Sequence, residues 1–242
     1  MKEIHLLKVL IVLLITISIS TEIVAQNIEQ QRDSLVKELK KVKIDSNKVK
    51  LYEQLFDLYE YVEPNKALGY AKKCLKLSRK SNYYNGEKKA YLNLFNYHYH
   101  GGSHSDSLLV YLQKMETVIN TAADSANLYY VHGCYGLYYS HTQELEKKIK
   151  SNLEALRIIK KFHGKPEVEG LLYHNIASAF SDLGKYKESL RYLKNAYPLR
   201  KQLSSRGFTL LDMGNIHYLV YENIDTIQVF YDEAMELFEK DN

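Results

Sequence analysis

"YHNIASAFSDLGKYKESLRYLKNA", residues 173–196, holds two amphipathic stripes with a glycine between them. Tyr173, Ile176, Ala177 and Phe180 stand at i, i+3, i+4 and i+7, one face of an α-helix. Gly184 suits the end of that helix. Ser189, Leu193 and Ala196 then keep helical spacing on a second stretch. The stretch reads as a helix–turn–helix hairpin. A lone hairpin cannot bury its apolar face, so neighbours of the same kind are expected beside it.

The chain supplies them. "YEQLFDLY" from 52, "YLNLFNYH" from 91, "HGCYGLYY" from 132, "YHNIASAF" from 173 and "LLDMGNIH" from 210 share large or apolar groups at the first, fourth, fifth and eighth places, with Gly or Ala at the fifth in three of them. The starts are separated by 39, 41, 41 and 37 residues. Each is followed by a break and a second amphipathic stretch. There Cys74, Ala155, Ala196 and Ala234 hold equivalent small places. Pro64 and Pro166 suit the first turn of a helix. Pro198 lies inside a helical stretch and predicts a kink or an early end. With only 11 Gly and 3 Pro in 242 residues, breakers are too few for a turn-rich β fold. The expectation is five helix pairs with a period near forty over residues 45–242. A leading helix over 26–44 carries Ile28, Leu35, Leu39 and Val42 on one stripe.

The 173–196 unit resembles the tetratricopeptide repeat family. The large–small pair falls to Ile176 and Ala177, the Gly-x-aromatic turn to Gly184 and Tyr186, and the second helix to Ser189, Leu193 and Ala196. The other four units are degenerate but in phase. Phe56 and Phe95 replace the family's small residue on two first helices, and Lys148 replaces a small residue on the third second helix. The resemblance implies an all-α fold, an α-solenoid wound as a right-handed superhelix of about five tetratricopeptide-like repeats, with 26–44 as N-terminal capping helix.

Residues 1–25 read as a secretory signal peptide. Two lysines precede the apolar-rich run Val9–Ile19, and "EIVAQ" offers cleavage after Ala25. Eleven residues span only about 16 Å as a helix, short of a hydrocarbon core of about 30 Å. The expectation is an exported chain, periplasmic or secreted, with no stable membrane insertion after cleavage. The export signal followed by forty-residue repeats resembles the extracytoplasmic region of bacterial sensor histidine kinases and regulators. A freestanding or truncated sensor ectodomain is therefore the alternative role. The net charge of +4 comes mostly from Lys interspersed with acids, a solvated helical surface, so no nucleic-acid partner is expected. Cys74 and Cys134 fall in different units, too far apart for a bridge that needs Cα atoms within about 7 Å, so two free thiols are expected.

"NYHYHGGSHSD", residues 96–106, invites a metal reading. On a helix His98 and His100 lie about 200° apart and cannot share an ion. Gly101 and Gly102 end that helix, which breaks the i, i+4 relation of His100 to His104. A corner site from His100, His104 and Asp106 is the only metal arrangement left. The expectation is no metal, no cofactor and no catalytic residue. G-x-S-x-G, H-E-x-x-H, the phosphate loop and the dinucleotide fingerprint are all missing from the sequence.

In the resembling family the first helices line the concave groove. Carried over, the groove residues here are Asn96, Tyr99, Leu137, His141, His174, Ser178, Asn215 and Tyr218. The set is aromatic, His and Asn, suited to a protein or peptide partner. A hydrated groove without a dedicated ligand is equally compatible with these residues, and the oligomeric state is open.

Overall fold

A computed structural model describes residues 28–101, 105–162, 164–221 and 224–241. They form eleven α-helices and no strand. The chain divides into two compact units with a boundary after Gly101. The first contains α1 (28–41), α2 (Asp45–Tyr59), α3 (Pro64–Lys80) and α4 (Tyr84–His100). The second contains α5 (Ser105–Thr121), α6 (Leu128–His141), α7 (Leu145–Lys161), α8 (Pro166–Asp182), α9 (Tyr186–Ala196), α10 (Leu203–Tyr221) and α11 (Ile224–Asp241). The export segment and its cleavage point lie outside the described residues.

The breakers act where the sequence places them. Pro64 and Pro166 open α3 and α8. Gly184 joins α8 to α9 with φ of +70°, the left-handed conformation that costs glycine least. Pro198 ends α9 early. The helix stops at Ala196 and a single 3-10 turn, Tyr197–Leu199, carries the chain out. α4 stops at His100 beside Gly101.

Packing follows the stripes. In the second unit Ala155, Leu156, Ile159, Leu172 and Ile176 form one buried cluster between successive hairpins. Ala177, Leu190, Leu193, Met213 and Ile216 form the next. In the first unit Val49, Cys74 and Ala90 do the same work for α2, α3 and α4. Each fully buried aliphatic side chain contributes about 1.5–3 kcal/mol relative to exposure. Phe56 and Phe95 are fully buried at the places where the family keeps a small residue. α1 is tied to α2 by the Arg32 guanidinium, which donates to the Leu58 carbonyl at 2.8 and 3.2 Å. Cys74 and Cys134 are free and buried, as the spacing argument expects.

Candidate functional site

Asn215 and Ser178 meet across one cleft of the second unit. Its volume is about 170 Å³, and α8, α9 and α10 supply the lining. Ser178, Ser181 and Asp182 form the α8 wall, and Asp212, Asn215 and Leu219 the α10 wall. Leu193 and Ile216 belong to the apolar floor. Helical spacing explains the walls, since 178, 181 and 182, like 212, 215 and 219, fall on one face of their helices.

Electrostatics tie the cleft together. His174 Nε2 lies 2.9 Å from Asp212 Oδ2, joining α8 to α10. Lys148, almost wholly buried on α7, donates from Nζ to Ser178 Oγ at 3.3 Å and sits 3.9 Å from Asp182 Oδ2. Burial pushes the Lys148 ammonium below the usual lysine range, and Asp182 opposes that only in part. Tyr231 donates its hydroxyl to Asn215 Oδ1 at 2.7 Å, which leaves the Asn215 amide as a donor. The arrangement can recognise hydrogen-bonding backbone and polar side chains. Among the described residues no three His, Cys, Asp or Glu side chains converge as a metal set.

Of the eight groove residues from the sequence, Ser178 and Asn215 line this cleft and His174 is paired with its Asp212. Tyr218 is exposed one helical position from Leu219, while Leu137 and His141 lie on α6, outside the cleft lining. Asn96 and Tyr99 belong to the first unit, where the Tyr99 ring stacks on Phe95 with centroids 5.8 Å apart. Also in that unit, His98 is held below the usual histidine range, first by burial and then by Lys72. His104 lies outside the described residues. The sequence reading missed Asp182, Asp212 and Lys148. For Lys148 the signal was present, because a lysine stands where a small core residue is expected.

These helix hairpins define the class, an all-α repeat fold of the tetratricopeptide type. Residues 171–208 match the tetratricopeptide repeat family, so the chain carries that repeat at the stretch from which its fold is read. Similar solved structures share the fold. BtubC from P. vanneervenii has 12% identity and a TM-score of 0.72, with 88% of this chain and 91% of that chain covered. A signal transduction ATPase with numerous domains and a tetratricopeptide repeat sensor, from Pyrococcus horikoshii, has 23% identity and a TM-score of 0.67 over 87% of this chain. The match covers 34% of that protein's length. Aspartyl phosphate phosphatase F from Bacillus subtilis has 15% identity and a TM-score of 0.64, with 86% of this chain and 60% of that chain covered. No curated protein matches the sequence.

Proposed function

We propose that the chain is a non-enzymatic interaction scaffold of the cell envelope that binds a protein or peptide along its first helices. The cleft of Ser178, Asp212 and Asn215 carries this reading, because it presents hydrogen-bonding groups on a preformed helical wall. The repeat fold supports it, since stacked hairpins build extended binding surfaces. The envelope location rests on the leader-like residues 1–25; no helix among the described residues is long and apolar enough to cross a membrane. A sensory role is the second reading, favoured by the tetratricopeptide repeat sensor of the similar Pyrococcus horikoshii ATPase.

A photocrosslinking residue at Tyr218, introduced in the native host, tests the scaffold reading. The control position is Arg191, on α9 and outside the cleft lining. The expected result is one dominant protein adduct from position 218 that is competed by excess unlabelled protein and absent from position 191. Identical adducts from both positions, or none from 218, would reject groove binding. Fractionation of the same cells reports the location, and a chain found only in the cytosol would reject export.

A further inference from the structure

Three of the hairpins, α2–α3, α8–α9 and α10–α11, share an internal aromatic contact, and the α6–α7 hairpin lacks half of it. Four residues before Cys74, Ala155, Ala196 and Ala234 stand Tyr70, Ser151, Tyr192 and Phe230. In α3 the Tyr70 ring stacks on Tyr59 of α2, with centroids 5.7 Å apart and planes at 25°. In α9 Tyr192 stacks on Phe180 of α8 at 5.4 Å and 14°. In α11 Phe230 packs on His217 of α10 at 5.2 Å and 41°. In the α6–α7 hairpin the first-helix place is Tyr139, but the second-helix place is Ser151.

The space of the missing ring is open. A cleft of about 490 Å³ lies there, lined by His132, Tyr135 and Tyr139 of α6, by Ser151 and its neighbours on α7, and by Glu116 of α5. That volume is within the roughly 300–1,000 Å³ usual for small-ligand sites. Tyr135 and Tyr139 lie nearly parallel, at 22° with centroids 6.1 Å apart, and provide a platform. The Lys147 ammonium lies 5.5 Å above the Tyr139 ring, on a largely exposed side chain that also pairs with Glu144. Tyr135 donates its hydroxyl to Glu116 at 3.1 Å, and burial holds His132 below the usual histidine range, which favours its neutral ring.

We propose that this cleft is a binding site for one planar aromatic ring, an indole or phenol side chain of a polypeptide partner, stacked on Tyr139 where its sister hairpins place a ring of their own. Offset stacking on the platform gives the geometric preference. The polar edge groups, His132 and Glu116, suit an indole N–H or a phenol O–H. Lys147 and Lys150 stand beside Glu116 and Glu154 in the lining and offer both signs of charge to the peptide flanking the ring. The site does not depend on the groove reading, because its lining residues are different ones.

The protein contains no tryptophan, so indole emission reports the ligand alone. Purified protein is titrated into N-acetyltryptophanamide. The expected result is a saturable blue shift with a dissociation constant on the order of 0.1–1 mM, as one ring's contacts allow. Ser151→Ala retains it. Ser151→Tyr abolishes it and raises Tm, because the ring restores the sister packing. Tyr139→Leu, which keeps apolar volume but removes the platform, weakens binding at least tenfold and serves if the tyrosine variant does not fold. No shift with the natural protein, or undiminished binding by Ser151→Tyr or Tyr139→Leu, overturns the proposal. Binding of free zwitterionic tryptophan without the capped amide overturns the polypeptide source.

Discussion

Gly136 shows how tightly a single residue is specified. It sits on α6, buried, where an added Cβ would run into the side chain of Asn152. Asn152 is itself fully buried on α7 and donates Nδ2 to the Lys148 carbonyl at 2.8 Å. Among the described residues its Oδ1 finds no hydrogen-bond partner, so a shift that gives up the Nδ2 bond would leave a buried amide with none. Gly136→Ala is therefore expected to destabilise by about 1–3 kcal/mol, the range for overpacking a filled core. Urea unfolding with an unchanged m-value checks it. Gly136→Ala combined with Asn152→Ala should recover part of the loss, since the methyl then has room. A double variant no better than the sum of its parts would place the cost elsewhere.

At the scale of elements, α7 meets α8 through a lysine that the stripe would fill with a small residue. The Lys148 pKa is lowered chiefly by burial, so its folded value lies below the 10.5 of the unfolded chain. The charged form is then the disfavoured one in the fold. Its penalty is fully present below the folded value and is relieved as pH rises from there towards 10.5. Lys148→Met keeps the length and removes the charge. It is expected to raise stability at pH 7 by about 1 kcal/mol, as replacing buried ions with apolar groups often does. The advantage should shrink as pH climbs towards 10.5, and comparing the two proteins at each pH cancels the tyrosines they share. A gap in Tm that stays constant to pH 10 would show that Lys148 is not penalised by burial. This element also marks how far the sequence could be read. Helix periodicity is local, so the hairpins, the Gly184 turn and the early stop at Pro198 were legible from spacing alone. Pairing between hairpins is not local. Nothing in the spacing of "HNIASAFSD" along α8 itself reveals that Ser178 meets Lys148 or that His174 meets Asp212. The open place at Ser151 was legible in principle, because Tyr70, Tyr192 and Phe230 mark it in the sister helices. It is missed when the second helices are compared only at their small places and not four residues earlier.

Across the whole molecule each unit holds one cysteine, Cys74 in the first and Cys134 in the second. Both are buried, and burial pushes each thiol up to about 12. The thiolate is the reactive form, and an ordinary cysteine ionises near 8.5. At pH 8 the folded chain therefore offers an attacking reagent neither access nor thiolate, and labelling must proceed through opening. Stability in helical repeat chains is a sum of local and neighbour terms, so opening need not be global. Cys134→Ala leaves Cys74 as reporter of α2, α3 and α4, and Cys74→Ala leaves Cys134 as reporter of α6. Each single-thiol protein is expected to react with Ellman's reagent at least about a thousandfold more slowly than in 8 M urea, given the depressed thiolate fraction. The two should differ in their rise with urea below the unfolding midpoint, because different helices must part to expose them. Reductant should leave Tm unchanged, since neither sulfur is bridged. Equal rates with one shared urea slope would show that the units open together, and fast labelling of Cys74 in native buffer would contradict the closed cluster of Val49, Cys74 and Ala90.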